Sequence, residues 1–285
     1  MNRVDGWKLR HTDPMYRIAA HVMVKRSDSM NSITLDIPTA PMDAYLRQKK
    51  REDRPVSHLG LIMAAILRTM VDYPALNRFI NNKVAYARKE YAFGMVVLRA
   101  DHDGAASNGG TMSKIYFQPT DTIFDVEERI QKYIGENRAG GASNKTEKII
   151  NVLMAVPGLI RSAVVILKWM DKHNILPKAV VDASPFHTSL VFTNLASIRT
   201  NYIHHHCYDF GTTSMVMAAG NSREVPKRRG GEIEFEKCMP LGLVMDERIC
   251  SGSYYATAFR RLKQYLADPT LLEVPPEEIK PDPEL

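Results

Sequence analysis

From Ser57 to Tyr73 the chain reads SHLGLIMAAILRTMVDY, and between Leu59 and Leu67 it is apolar on nearly every face of a helix. Such a helix cannot rest on a surface with one side in water, so the rest of the chain must enclose it. Its limits are written locally: Ser57 can cap the first turn, and Pro74 stops the run. With 285 residues, 45% hydrophobic and 25% charged, the chain is long enough to bury a sizeable core and has the make-up of an ordinary globular protein.

Around that helix, Ala92–Arg99, Ser189–Asn194, Thr212–Ala219 and Leu241–Asp246 read as strands. His21–Val24 and Ile33–Ile37 are weaker strand candidates, and Asp101-His102-Asp103-Gly104 reads as a turn. A second helix places Ile123, Val126, Ile130, Tyr133 and Ile134 on one stripe, opened by Thr122 and Asp125 at the spacing of a capping box. A last helix carries Tyr255, Phe259, Leu262 and Leu266 before Pro269. Strands and helices without strict alternation argue for an α+β chain with a mixed sheet.

Several function classes lose their support. No Gly-x-Gly-x-x-Gly or P-loop is present to cradle a nucleotide. Cys207, Cys238 and Cys250 show neither paired disulfide spacing nor a zinc pattern, so no metal is expected and a reducing, cytoplasmic setting fits. The start, MNRVDGWKLRHTDPM, has no apolar leader run. Within a formal charge of +6, the densest basic run, Lys227-Arg228-Arg229, meets Gly230-Gly231 and reads as a solvated hairpin turn; no nucleic-acid partner is expected. Residues 1–273 read as a single domain, and the Pro/Glu-rich stretch Val274–Leu285 as a mobile tail.

The block Met245–Leu272, MDERICSGSYYATAFRRLKQYLADPTLL, runs from a strand end through a tight loop at Ser251-Gly252 into an amphipathic helix. It resembles the active-site signature of the chloramphenicol-acetyltransferase-like acyltransferases, which include the catalytic domain of the 2-oxo acid dehydrogenase acyltransferases and carry His-x-x-x-Asp-Gly there. Four further segments resemble that family in its own order: Pro55–Asn77 its buried helix and Pro-x-Leu-Asn turn, Ala92–Gly104 the next core strand and turn, Ser189–Ile198 its Phe-Thr-Ile-Ser-Asn-Leu-Gly strand, and Ser214–Pro226 the following strand and hairpin. The resemblance implies a two-layer α/β sandwich with a mixed sheet. It also implies a CoA thioester as co-substrate and a small-molecule acceptor bearing a hydroxyl, amine or thiol. The assembly it implies is a homotrimer whose active sites lie in channels between neighbouring subunits.

In that family a His acts as base and a Ser or Thr of the facing subunit donates to the tetrahedral oxyanion. Thr193 matches the donor, followed by Asn194 and Leu195, but Glu247 stands in place of the His and Ser251, before Gly252, in place of the Asp. Asn194, Ser251 and Gly252 are thereby candidate substrate-binding residues. A carboxylate ordinarily titrates near about 4.3 and is a weak base toward a thiol or alcohol unless burial raises it. Glu247 is therefore either a base or a structural group paired with Arg248 or gripping the turn.

A second candidate base lies in YIHHHCYDFG, Tyr202–Gly211, where His205 or His206 with Asp209 offers an imidazole and an acid in one short segment. The alternative function is a catalytically inactive protein of the same fold that binds a ligand or partner. One insertion departs from the family, residues 142–185. Within it Ile149–Leu167 is mostly apolar but is broken by Asn151, Pro157-Gly158 and Arg161, which predicts a buried or capping helical hairpin walling an apolar acceptor pocket rather than a membrane span. Contact with a membrane surface stays open as a third possibility.

Overall fold

The computed structural model describes residues 1–98, 110–138 and 159–285. The expected turn at 101–104 and the first part of the insertion, 142–158, lie outside the described residues. In chain order the elements are β1 (Gly6–Lys8), α1 (Pro14–Val22), β2 (Met30–Pro38), α2 (Thr39–Arg51), α3 (His58–Asp72), β3 (Arg78–Asn81), β4 (Val84–Arg88), β5 (Tyr91–Leu98), β6 (Gly110–Phe117), α4 (Ile123–Arg138), α5 (Leu159–Lys172), α6 (Lys178–Ala183), β7 (Leu190–Asn194), β8 (Met215–Ala219), β9 (Arg223–Arg229), β10 (Glu232–Asp246) and α7 (Gly252–Ala267).

The main sheet runs β2-β10-β8-β7-β5-β6, and β9 pairs with the first half of β10. Its β5–β7 and β7–β8 pairs are parallel and the others antiparallel, so the sheet is mixed as expected. A small antiparallel sheet, β1-β4-β3, stands apart from it. Helices α3, α4 and α7 cover one face of the main sheet, where Phe93, Leu190, Phe192, Leu241 and Leu243 meet Leu61, Ile123, Ile130 and Leu262 in one continuous core. The all-apolar helix is enclosed as its sequence demands: Gly60 through Val71 are all buried, and Ser57 Oγ accepts from Gly60 N at 2.9 Å. The capping box also forms, with Thr122 Oγ1 donating to Asp125 Oδ2 at 2.6 Å while accepting from Asp125 N at 3.4 Å.

Four expectations are corrected. His21 and Val22 close helix α1 instead of opening a strand, because Asp13 accepts from Met15 N and Pro14 starts the turn; a cap overrides a short apolar run. Lys227–Arg229 end strand β9, the turn itself being Gly230-Gly231 at φ of 58° and 96°. The C-terminal stretch is seated: Arg78, itself buried, takes both carboxylate oxygens of Asp282 at 2.6 Å, and Arg10 N donates to the Glu284 carbonyl at 2.9 Å. A buried guanidinium demands a partner, and that demand outweighs the disorder-prone composition. The described part of the insertion, 159–185, holds α5 and α6, and α5 is not buried, since Val165, Ile166 and Trp169 are 62%, 56% and 55% exposed. Among the described residues no helix is long and apolar enough to cross a membrane.

Candidate functional site

The strand β7 divides two environments. Leu190 and Phe192 point into the helix-covered core, whereas Val191, and with it Thr193 two residues on, face the other side of the sheet. There Val191, Val216, Val244 and Cys207 form a second, smaller apolar cluster. The register sets Thr193, Ala218, Gly242 and Thr34 in one row across four strands.

The residues 202–209 cross this second face. They lie so close that a Cβ on Gly220 would sit 2.2 Å from Tyr202 N and one on Gly242 2.5 Å from the Ile203 carbonyl oxygen. The imidazole Nε2 of His204 lies 3.2 Å from both Thr34 Oγ1 and the Ile33 carbonyl. His205 and His206 stack with ring centroids 4.7 Å apart, both against Tyr208. Cys207 N then reaches Met30 Sδ, which carries the segment toward the end of β10. Asp209 accepts from Arg26 N at 3.2 Å, and among the described residues no hydrogen bond joins it to an imidazole of 204–206. The expected His and Asp are thus neighbours in sequence but not partners in space.

At the end of β10, Asp246 is fully buried and takes Arg248 by two bonds of 2.8 and 2.6 Å, with Arg26 Nε at 3.9 Å. Burial lowers the Arg26 guanidinium pKa despite Asp246, and pushes the nearby Cys207 thiol up to about 12. The Tyr255 hydroxyl donates to the Asp246 carbonyl at 2.9 Å. The ion pair suspected of Glu247 therefore belongs to Asp246. Glu247 itself accepts from Asn31 Nδ2 at 2.6 Å, and its N–H donates to the Ser29 carbonyl. Asn31 shares the strand face of Leu35 and Ile37, which belong to the helix-side core, so it holds the Glu247 carboxylate away from the face that carries Thr193.

Ser251 caps α7, its Oγ accepting from Tyr254 N at 3.1 Å, and Gly252 opens that helix. Asn194 lines a cavity of about 160 Å³ with His58, Ile62 and Ser197, where α3 begins. Sequence reasoning missed Arg26, Asn31 and Thr34. They lie about 170 to 220 positions from the groups they touch, and no local pattern marks them. Among the described residues no three His, Cys, Asp or Glu side chains gather as a metal site.

Register also gives separations. Three strand spacings, about 14 Å, part Thr193 from Thr34, and Glu247 lies five residues beyond Gly242, about 17 Å along the strand. Within one chain the His204 end of the crossing segment and the Glu247 end of β10 both lie away from Thr193.

Residues 211–274 match the model of the family described as 2-oxoacid dehydrogenases acyltransferase (catalytic domain). Solved structures resemble the whole chain. A probable dihydrolipoamide acetyltransferase of Listeria monocytogenes superposes with a TM-score of 0.57 at 12% identity, over 92% of this chain and 94% of that one. The dihydrolipoamide acetyltransferase of Azotobacter vinelandii gives 0.58 at 12%, over 92% and 93%, and a chloramphenicol acetyltransferase 0.56 at 9%, over 92% and 99%. The fold is that of the chloramphenicol-acetyltransferase-like acyltransferases. Within this acyltransferase fold the family match covers β8, the β9–β10 hairpin, Glu247, Ser251 and α7, while Thr193 and the histidines precede it. No curated protein matches the sequence significantly.

Proposed function

We propose that this chain is a cytoplasmic, CoA-dependent acyltransferase that works as a homotrimer, with Thr193 of one subunit completing a site whose base comes from its neighbour. The observation that carries the reading is the row Thr193–Ala218–Gly242–Thr34. It sets Thr193 on the same face of the sheet as Thr34, where the His204 ring rests three strand spacings away, and that separation supports a base supplied across a subunit boundary. A second subunit laid against that face is the simplest way to close the gap. The three free, buried thiols suit the reducing compartment.

In the proposed reaction the base takes the proton from an acceptor hydroxyl, amine or thiol as it attacks the thioester carbonyl carbon. The Thr193 hydroxyl donates to the oxyanion, and collapse expels the CoA thiolate, which recovers the proton. Of the candidate bases, His205 and His206 are favoured over Glu247, whose carboxylate is already held by Asn31. The Azotobacter enzyme was solved to define the roles of a serine, a histidine and an asparagine in its catalytic mechanism. The last two are four positions apart, like Glu247 and Ser251, and the serine precedes the histidine by 52 positions, as Thr193 precedes Glu247 by 54. That spacing supports Thr193 as the donor and, with Glu247 in place of the histidine, a base supplied by His205 or His206.

Release of free CoA thiol from a panel of acyl-CoA thioesters and acceptors tests this. Thr193→Val and the double variant His205→Gln/His206→Gln should each be slowed at least about 10²-fold, and mixing the two after dissociation should restore part of the rate, because some mixed interfaces then pair an intact Thr193 with intact histidines. Activity that survives the histidine changes but is lost in Glu247→Gln returns the base to Glu247. No transfer with any thioester favours the inactive, ligand-binding alternative.

A further inference from the structure

We propose that helix α5, with the cations beside it, is a docking surface for an anionic lipid membrane. In α5, Arg161, Val165, Lys168 and Lys172 recur at intervals of four, three and four residues and form one stripe; Ser162, Ile166 and Trp169 form the adjoining one. Both stripes face outward, an apolar ridge with a cationic flank. The Trp169 ring is braced by His173 at 4.6 Å between centroids.

The ridge is held outward. Asp171, on the inner side of α5 and 4% exposed, is gripped by Arg3 at 2.6 Å and lies 3.3 Å from His187 Nε2, while Asn81 Nδ2 donates to the Asp171 carbonyl at 2.9 Å. Rolling the helix to hide Trp169 would tear a buried carboxylate from a buried guanidinium, a change that costs more than the apolar area would return.

The cationic flank continues beyond the helix. Lys168 and Lys172 share the wall of a cavity of about 340 Å³ with Lys25 and Lys83, and Val24, 59% exposed, stands at its edge. The acids in that wall are engaged, Asp171 by Arg3 and Asp209 by Arg26 N. Among the described residues none of Lys25, Lys83, Arg161, Lys168 and Lys172 has a carboxylate within ion-pair distance. A tryptophan-bearing apolar ridge beside five unpaired cations suits an interface of acyl chains and anionic headgroups. At 14 residues α5 lies along such a surface and does not cross it.

Flotation of the full-length protein with vesicles of phosphatidylcholine alone, and with about 30% phosphatidylserine, tests the inference. The protein should float with the anionic vesicles only, and less so as salt rises. Lys168→Gln/Lys172→Gln should weaken binding about 30-fold with the melting temperature unchanged. In a Trp7→Phe background, Trp169 emission should shift to the blue on anionic vesicles. Equal recovery with neutral vesicles, no recovery with anionic ones, or a double variant that binds like the parent overturns the proposal. So does sedimentation showing that Trp169→Asp dissociates an oligomer, because a second copy then covers the ridge. None of these readouts depends on acyl transfer.

Discussion

The two faces of the main sheet are built for different purposes. The helix-covered face is lined by large side chains with no solvent exposure, among them Phe93, Leu190, Phe192, Leu241 and Leu243. The opposite face is narrow in its side chains, with Ala218 and Gly242 at its middle, and is crossed by a polar, histidine-bearing segment in place of a helix. Close packing on one side supplies stability, which leaves the other side free to hold groups that packing alone would never select. Neighbouring residues of β7 show the contrast at one-residue resolution.

Phe192→Ala should cause the largest effect, a loss of about 3–5 kcal/mol in chemical unfolding, because the side chain is fully buried and leaves a cavity. Thr193→Val, one residue on, should leave that unfolding curve in place and cut turnover about 10²–10³-fold. If Thr193→Val destabilises the fold as Phe192→Ala does, the division of labour between the faces is wrong.

Gly242→Ala is expected to lie between the two. Its new methyl meets the Ile203 carbonyl, so the crossing segment must shift, at about 1–3 kcal/mol, and the histidines move with it. Activity should fall by more than the melting temperature predicts. Loss of stability at full activity would detach the segment from the chemistry.

Lys114 gives the second face a pH signature. It donates to the Val181 carbonyl at 2.6 Å, and burial, reinforced by Arg88, pushes its pKa down to about 7 from an ordinary 10.5. Between those two values the unfolded chain holds more protons, so this group makes stability rise with pH through the window and lowers it most below pH 7. Lys114→Met should flatten that slope and stabilise the protein at pH 6, as read by thermal melts across pH.

The smallest effect belongs to Ser251. Its hydroxyl caps α7, so Ser251→Ala should cost about 1 kcal/mol, while Ser251→Asp, an equally good cap, should stay within a few tenths. A larger loss in Ser251→Asp would mean that the carboxylate meets something other than the helix end.

Much of the packed face was legible from sequence, because a helix with Tyr255, Phe259, Leu262 and Leu266 on one stripe or an apolar run such as Leu59–Leu67 announces its own burial. Thr193 is a candidate only through the family resemblance of the strand around it, and what the structure adds is the face of the sheet on which that strand sets it. The pairing of His205 with Asp209 was plausible from spacing and did not form, since Asp209 satisfies the N–H of Arg26, 183 residues away. Likewise Glu247 next to Arg248 suggested an ion pair that Asp246 makes instead.

The sequence alone determined the α+β class, both ends of α3 and α7, the start of α4, and the acyltransferase resemblance, because periodicity, caps and motif order act over a few residues at a time. Only the tertiary structure decided which carboxylate pairs with Arg248, that residues 202–209 cross the second face, that the C-terminal stretch is tied down by Arg78, and that α5 keeps its apolar ridge outward. Each of those outcomes rests on buried polar groups finding partners far away in the chain, and a buried charge must be paired by whatever the fold brings to it.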